Sequence, residues 1–420
     1  MSSEWKSYQL ADLTKFKYGK FLAKSQLNES GFPVFSGYGV VGYLPTYQFD
    51  DPQLLIVCRG EGGTGDVKMS PPKCSITNLS IVFSPNEQIV SKKFLYWALK
   101  ASDTHRLRTG SAQAQIVIGS LEKFGLAIPV EKAKQDEIAQ TLDALDDRIA
   151  LLRETNATLE AIAQALFKSW FVDFDPVLAR MEGCAPEGMD EATAALFPDG
   201  LEESELGLVP RGWSSRKLGD VCVYLNRGIS PKYVEEGGVL VINQKCIRDF
   251  SVDLSKARRH DPVQRKIDGR ALKIGDVLVN STGVGTLGRV AQVLALPETA
   301  IVDSHVTVVR AGPNLSWTYL GQWMNRKQPE IEVMGEGSTG QTELSRSKLA
   351  ELWILVPQEA ALHAFDDCVM PIKHRMTVNE GEVKVLANLR DTLLPRLISG
   401  QLRLPESAES SELACALHND

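Results

Sequence analysis

An internal repeat constrains this chain more than any other feature of its sequence. Four strings recur in the same order in the second half of the chain, with similar apolar, glycine and polar positions. The pairs begin at Trp5 and Trp213, at Gly60 and Gly283, at Gly110 and Gly337, and at Leu121 and Leu349. A solenoid needs at least three copies of a period of about 20–50 residues. Two long copies therefore predict two similar domains.

Each copy has a strand-rich first part and a helical second part. In the first part, short β-branched runs alternate with glycine and proline, which is typical of strands joined by turns. The expected fold class is therefore α+β, with two similar strand-rich domains and long helices between them. The predicted strands include 32–35, 54–57, 239–242 and 306–309, and the predicted short helices are 91–101 and 317–326.

The second part of each copy carries a heptad pattern. The first helix is expected from about Lys132 to Trp170, with the polar Asn156 at one core position. A lone asparagine there fixes coiled-coil register at a cost in stability. The second helix has a weaker pattern, because Pro371 is expected to kink it and Gly381 to loosen it. The predicted seam consists of Ile138, Leu142, Leu145, Ile149, Leu152, Asn156, Leu159, Leu166, Ile372, Met376, Leu386 and Leu393.

Each of these two seams needs a partner. The arrangement we favour packs the two helices on each other, antiparallel, as a spacer roughly 50 Å long. Such a spacer would hold the two strand-rich domains apart at its opposite ends. The alternative is a seam that joins two copies of the chain, and the sequence leaves both arrangements open.

Charge alternates along the chain in step with the repeat. The whole chain has a net charge of −7, which taken alone argues weakly against a nucleic-acid partner. Residues 1–130 hold 14 basic and 10 acidic side chains, and residues 211–357 hold 20 and 15. By contrast, 131–210 hold 6 and 18, and 358–420 hold 6 and 10. Because local charge decides where a polyanion binds, the two strand-rich domains are the candidates.

The common catalytic and nucleotide-binding motifs are missing from the sequence. Residues 37–42 fit the glycine fingerprint of dinucleotide-binding loops, but Pro45 and aromatic residues follow where a helix should begin, so a turn is expected. Residues 345–348 fit a serine acyl-enzyme spacing without its companion motifs. No ATPase phosphate loop, zinc-protease motif, methyltransferase loop or nuclease arrangement is found. We therefore expect no catalysis by this chain, and no cofactor or metal on it.

Cysteine usage and hydropathy point to a location inside the cell. The seven cysteines show no paired spacing, which fits reduced thiols. The N-terminus has no apolar core for a signal peptide, and no apolar run approaches the length of a membrane span. The expected compartment is the cytoplasm.

Binding is then the expected activity, and its best candidates are polar residues beside the repeated glycine-rich loops. Backbone amides in such loops can approach phosphates, arginine can fork onto guanine, and glutamine can bridge adenine. Two basic domains on one spacer would read a two-part double-stranded DNA site, with halves about one helical turn, roughly 34 Å, apart. The candidate contacts are Arg59, Lys68, Arg106, Arg108, Gln113, Lys245, Arg248, Arg258, Arg259, Arg289 and Gln341.

Several strings, taken in order, resemble one family. VPRGW at 209–213 resembles the opening of its recognition domains. QDEIA at 135–139 and LDDRI at 145–149 resemble the start of its central spacer helix, and FVDFDP at 171–176 resembles the end. LLPRLISG at 393–400 resembles the close of its distal spacer. Over about residues 5–404, the sequence is similar to the specificity (S) subunit of a type I restriction–modification enzyme.

The resemblance implies two target-recognition domains separated by an antiparallel two-helix coiled-coil spacer. An acidic stretch between the spacer and the second domain departs from the family pattern, and its role is open. The implied segments are target-recognition domain 1 (1–130), a central spacer helix (131–175), an acidic linker or insert (176–210), target-recognition domain 2 (211–357), a distal spacer helix (358–404) and a disordered tail (405–420).

The resemblance also implies a non-catalytic subunit that contacts one half of a split DNA target with each domain. Two methyltransferase subunits, which use S-adenosylmethionine, and two motor–nuclease subunits, which use ATP and Mg²⁺, would assemble on it and carry out the reaction. Two alternatives stay open. One is the specificity chain of a type IIB enzyme, whose partner both methylates and cleaves. The other is a coiled-coil scaffold whose globules bind proteins.

Overall fold

The chain forms two compact units. The computed structural model describes residues 4–60, 62–110, 114–283, 285–336 and 342–404. Unit 1 comprises Met1–Leu151 with Glu382–Asp420, and unit 2 comprises Leu152–Gly381. The predicted contacts Gln113 and Gln341 and the predicted tail lie outside the described residues.

The strand-rich part of unit 1 contains two small sheets. One is antiparallel with the order β2-β8-β5-β6, and in the other, β4-β3-β7, strands β3 and β7 are parallel. Strands β1 and β9 pair antiparallel and bring the two ends of the domain together. The elements are β1 (Trp5–Gln9), α1 (Leu10–Leu13), β2 (Thr14–Tyr18), β3 (Phe32–Phe35), β4 (Val40–Leu44), β5 (Leu54–Val57), β6 (Val67–Met69), β7 (Ser75–Ile76), β8 (Ser80–Pro85), α2 (Lys92–Lys100), α3 (Ile118–Glu122) and β9 (Gly125–Pro129).

The core of this domain lies between the larger sheet and α2. Every residue of β5 is buried, and Phe83 of β8 packs edge-on against Phe16 at a centroid distance of 5.2 Å. Helix α2 begins at Ser91, whose hydroxyl accepts a hydrogen bond from the Phe94 amide, and it buries Phe94 and Trp97. Burial of one large apolar side chain contributes about 1.5–3 kcal/mol, so these contacts fix α2 on the sheet.

The strand-rich part of unit 2 repeats this plan. Its antiparallel sheet has the order β13-β22-β19-β20, and a second sheet has the order β14-β18-β15-β21 with β15 and β21 parallel. The elements are β12 (Ser214–Lys217), α7 (Leu218–Val221), β13 (Cys222–Arg227), β14 (Tyr233–Val234), β15 (Val239–Ile242), β16 (Ile247–Arg248), β17 (Ser251–Val252), β18 (Arg258–His260), β19 (Val277–Asn280), β20 (Val290–Gln292), β21 (Ala300–Val302), β22 (Val306–Ala311), α8 (Trp317–Glu332), α9 (Arg346–Ala350) and β23 (Trp353–Val356).

One glycine in each unit shows how closely the two domains correspond. Gly19 follows β2, and a Cβ there would lie 2.1 Å from the Thr77 carbonyl oxygen. Gly228 follows β13, and a Cβ there would lie 2.0 Å from the Val302 carbonyl oxygen. Both positions need glycine because a neighbouring backbone occupies the space of any side chain. The predicted fold class, with two similar strand-rich domains, is confirmed.

Most predicted elements form where the sequence placed them. Residues 32–35, 54–57 and 239–242 are strands, and residues 306–309 form most of β22. Residues 36–39 form the turn between β3 and β4, as expected in place of a nucleotide loop. Helix α8 extends past its predicted end at Arg326 and through Pro329. Pro329 removes one backbone hydrogen bond near the helix end, while Ile331 in the same turn is fully buried.

Two helices, α4 (Lys132–Phe171) and α10 (Glu359–Ile398), form the predicted spacer. Within unit 1, Asp146 pairs with Arg390 and Arg148 pairs with Glu382, so the two chain segments run antiparallel. Helix α10 is continuous through the proline and glycine that were expected to weaken it. All twelve predicted seam residues are buried or half-buried. No helix in the described ranges is long and apolar enough to cross a membrane.

Within unit 2, the helix pair contains a polar layer. Asn156 Nδ2 donates to the Met376 carbonyl oxygen at 3.1 Å, and Asn379 Nδ2 donates to Asn156 Oδ1 at 2.8 Å. Asn379 is fully buried. The asparagine predicted to act alone therefore has an asparagine partner on α10. One turn further along, Lys373 and Glu160 form an ion pair with side-chain exposures of 7% and 18%.

The acidic segment between the spacer and the second domain is folded. Its aromatic anchor is Phe197, which is 1% exposed and lies edge-on to Trp170 at a centroid distance of 5.2 Å. This contact attaches the segment to the core of unit 2. Its elements are α5 (Asp175–Met181), α6 (Glu191–Ala194), β10 (Leu201–Ser204) and β11 (Gly207–Pro210).

Candidate nucleic-acid interface

In unit 1, the glycine-rich loop between β5 and β6 is held closed by its own backbone. The Gly65 amide donates to the Val57 carbonyl oxygen at 2.9 Å, and the Thr64 hydroxyl donates to the Gly60 carbonyl oxygen at 2.8 Å. His105 Nδ1 lies 2.9 Å from the Thr64 carbonyl oxygen and ties the loop to the following 3₁₀ turn. The loop is therefore a fixed platform for its exposed side chains.

Two predicted contacts, Arg59 and Lys68, lie on this platform together with two tyrosines. The Arg59 guanidinium carbon lies 5.7 Å from the centre of the Tyr18 ring, and Lys68 Nζ lies 5.9 Å from that of Tyr38. Tyr38 also donates its hydroxyl to the Arg59 carbonyl oxygen at 3.1 Å. Sequence reasoning missed both tyrosines, because strands β2, β3 and β4 bring them to the loop from distant positions.

The other two described candidates of unit 1 are Arg106, in the 3₁₀ turn Thr104–Leu107, and Arg108, directly after it. Arg108 Nε donates to the His105 carbonyl oxygen at 3.0 Å, so this arginine belongs to the same loop region. The Arg106 guanidinium carbon lies 4.8 Å from the centre of the Phe124 ring. Both arginines are exposed. Asp66 lies 3.9 Å from Lys68 and 3.6 Å from His105, which places one negative charge among the basic groups.

In unit 2, the corresponding loop between β19 and β20 carries Arg289. An Arg289 side-chain nitrogen donates to the Gly285 carbonyl oxygen at 2.8 Å. Gln244 Nε2 donates to the carbonyl oxygen of Thr282 in the same loop, at 2.8 Å. The Thr282 hydroxyl lies 2.9 Å from His305 Nδ1. Lys245 is exposed beside Gln244. The loop therefore carries Arg289 and contacts an amide and an imidazole that sequence reasoning missed, and Lys245 directly follows that amide in the chain.

The remaining predicted arginines of unit 2 differ in the groups that their side chains contact. The Arg258 guanidinium lies 3.3 Å from the centre of the Tyr233 ring, and Arg248 is exposed on β16. Arg259 instead forms two hydrogen bonds, of 3.0 and 2.7 Å, with the Glu298 carboxylate. This pair raises the pKa of Arg259 and lowers that of Glu298, chiefly through the hydrogen bonds between the two groups. A phosphate would have to compete with Glu298 for Arg259.

The described residues of the two loops make equivalent backbone hydrogen bonds. In unit 1, the Val57 amide donates to the Asp66 carbonyl oxygen at 2.9 Å. In unit 2, the Asn280 amide donates to the Arg289 carbonyl oxygen at the same distance. These bonds place Asp66 and Arg289 at equivalent positions, as they do Arg59 and Thr282. The two loops therefore present different polar groups on one framework.

Polar contacts with the long helices hold each domain against the helix segment of its own unit. In unit 1, the fully buried Gln135 of α4 accepts from the Ser91 amide at 3.0 Å, and Trp97 Nε1 donates to Asp143 at 2.8 Å. In unit 2, Glu160 of α4 accepts from Gln322 Nε2 of α8 at 3.0 Å. Since α2 and α8 also cover the sheets, these contacts position each domain on its helix segment.

Comparisons with known proteins agree with this architecture. A family model described as "Type I restriction modification DNA specificity domain" matches residues 2–161. The chain is 26% identical over 370 residues to the type I restriction enzyme HindI specificity subunit of Haemophilus influenzae, covering 77% of this chain and 80% of that one. It is 24% identical over 334 residues to the MjaIX specificity subunit of Methanocaldococcus jannaschii, covering 77% and 71%.

A solved structure shares the fold. The S subunit of a type I restriction–modification system from M. genitalium matches with a TM-score of 0.59 and 17% identity, over 94% of this chain and 96% of that one. Residues 2–161 thus match the DNA specificity domain of type I restriction–modification systems, and over 77% of its length this chain is similar to specificity subunits of such systems. Such subunits are the non-catalytic parts of these complexes.

Proposed function

We propose that the strand-rich domain of each unit reads one half of a bipartite double-stranded DNA target. The observation that carries this proposal is the gathering of basic and hydrogen-bonding side chains at the same glycine-rich loop in both units. Arginine and lysine neutralise phosphates, and arginine, glutamine and histidine can bond to base edges. Because the two loops carry different side chains, the two half-sites differ in sequence.

The long helices serve assembly in this proposal. They recruit two methyltransferase subunits and set the gap between the half-sites, and two motor–nuclease subunits complete the complex. S-adenosylmethionine, ATP and Mg²⁺ act on those partner subunits, and this chain carries no cofactor. The chain then supplies the choice of DNA, and its partners supply methylation and cleavage.

Competition binding tests the proposal. The chain is purified with its methyltransferase subunits, and labelled target DNA is challenged with bulk DNA at physiological salt. We expect a bipartite sequence to outcompete bulk DNA by a factor of at least about 10³. For about six phosphate contacts, affinity should fall about 10³-fold between 50 and 200 mM salt. Failure of any bipartite sequence to outcompete bulk DNA would refute the proposal.

The helix pair gives a second test, of the gap. One heptad is inserted beside Asn156, with a matching heptad beside Asn379 so that the antiparallel pairing is kept. The two insertions lengthen the pair by about 10 Å at 1.5 Å per residue. We expect the tolerated gap between half-sites to change while the half-sites themselves stay the same. An unchanged gap would show that the helix pair does not set it.

A further inference from the structure

Unit 2 contains a cleft whose lining, among the described residues, includes none of the predicted contacts. It measures about 700 Å³ and opens where β13 ends and α9 begins. Three arginines line it, from three separate parts of the sequence, together with an amide and two hydroxyl groups. These six residues are Arg227, Arg270, Arg346, Asn226, Ser345 and Ser347.

The three guanidinium groups are not equally neutralised. Arg227 pairs with Glu343 and also donates to the Leu344 carbonyl oxygen at 2.7 Å. Arg346 donates to the neutral Asn226 Oδ1 at 2.5 Å. Arg270 donates to two carbonyl oxygens, those of residues 227 and 228, at 3.2 and 3.3 Å. Among the described residues, neither Arg270 nor Arg346 has a carboxylate partner.

Both carboxylates that line the cleft already form ion pairs. Glu343 is held by Arg227, and Glu336 is held by Lys348 from outside the lining. The two arginines without carboxylate partners therefore leave the cleft with a positive potential. Each guanidinium has five N–H donors, of which the contacts above use only one or two, so several donors remain for an anionic ligand.

The corresponding place in unit 1 also carries a guanidinium. Tyr18 ends β2 as Arg227 ends β13, and each is followed by the close-packed glycine described above. The Arg59 guanidinium lies over the Tyr18 ring, and the Arg59 backbone forms an isolated β-bridge with that of Gln115. In unit 2, the equivalent bridge joins Thr282 and Glu343. Both domains thus place a guanidinium at this point, from a loop in unit 1 and from the end of a strand in unit 2.

We propose that Arg270 and Arg346 bind backbone phosphates of the DNA half-site that unit 2 reads. This inference rests on the proposed function and adds the position of an electrostatic anchor. Phosphate contacts fix the register of a protein on the duplex without reading sequence. A guanidinium fork matches two phosphate oxygens, and the two positive charges without carboxylate partners supply the attraction. The glycine-rich loop of the same domain is left to read bases.

The test measures DNA affinity as a function of salt for the complex with its methyltransferase subunits. Arg270→Gln and Arg346→Gln are compared with Arg216→Gln, a control arginine exposed on β12 outside the cleft. Each cleft variant should weaken target and bulk DNA alike and lower the salt slope by about 1. The affinity loss between 50 and 200 mM salt should then be about threefold to fourfold smaller than in the wild type.

Conservative variants separate charge from folding. Arg270→Lys and Arg346→Lys keep the charge and should keep most of the salt slope, and all variants should unfold at the wild-type temperature. A cleft variant that lowers affinity only for particular bases would overturn the phosphate assignment, and so would a slope equal to that of Arg216→Gln. In both cases the wild-type complex still selects its bipartite target, whereas loss of that selection in the wild type refutes the proposed function itself.

Discussion

The glycine-rich loops of the two units share backbone hydrogen bonds between their described residues and differ in charge. Residues 59–66 and 282–289 have the same length, and equivalent hydrogen bonds close both loops. Yet the first ends in Asp66 where the second ends in Arg289, and the first begins with Arg59 where the second begins with Thr282. Backbone hydrogen bonds therefore fix the platform, while the side chains on it are free to vary. Such a platform can serve two different half-sites.

The largest effect is expected at the two glycines that lie against a neighbouring backbone, and it tests whether both domains need this close contact. Gly19→Ala or Gly228→Ala places a Cβ about 2 Å from a backbone oxygen, which only a backbone shift can relieve. We expect each substitution to lower the free energy of unfolding by about 4 kcal/mol or more. Denaturant unfolding of the full chain measures this loss.

Gly39→Ala is the matched control, because nothing lies within 4 Å of the Cβ that it would add. Its effect should stay within about 0.5 kcal/mol. Equal effects at Gly19 and Gly39 would break the correspondence between the two domains at this point.

The next largest effect is the loss of stability when an ion pair between the two long helices is removed, in unit 2 and in unit 1. Lys373→Met leaves the half-buried carboxylate of Glu160 without its cation, and should cost about 3–5 kcal/mol. Arg148→Met removes an ion pair of unit 1 whose side chains are 46% and 35% exposed, and should cost at most about 1 kcal/mol. Thermal and denaturant unfolding measure both.

A second variant checks the cause of the larger loss. Lys373→Met combined with Glu160→Gln removes the unpaired charge and keeps an acceptor for Gln322, so part of the lost stability should return. If the double variant is no more stable than Lys373→Met alone, the loss comes from packing and not from the buried charge.

The smallest effect concerns the equivalent positions at the ends of the loops. Arg289→Gln should weaken DNA binding, and Asp66→Asn should strengthen it, because Asp66 lies among Lys68 and His105. Each change should be several-fold at physiological salt and smaller at high salt. Titration of labelled DNA at two salt concentrations measures both. Shifts of the same sign would contradict opposite roles for the two positions.

The sequence predicted the repeat, the strand-rich domains, the long helices and the loops, because all of these follow from local patterns. It did not predict the partners across the fold. Asn379 lies 223 positions from Asn156. It stands in the heptad pattern of the second helix as Asn156 does in that of the first, but a heptad pattern does not say which core residues meet across the pair. Arg259 was predicted to contact DNA together with its neighbour Arg258, whereas in the structure its guanidinium bonds to the carboxylate of Glu298, 39 positions away.

The cleft arginines were missed for a related reason. Arg227, Arg270 and Arg346 come from three separate segments, and only the folded sheet and loops bring them together. A search for basic runs favours residues that are close in sequence. Local charge can locate a basic domain, but the arrangement of its charges depends on tertiary contacts.

If each unit reads its own half of the target, exchanging one loop should change one half-site only. Residues 59–66 are replaced by the sequence of 282–289, and methylated adenines are mapped in cells that carry the complete system. We predict that recognition changes only in the half-site read by unit 1, with the other half and the gap unchanged. Changes in both halves, or in neither while the complex still methylates DNA, would contradict the account.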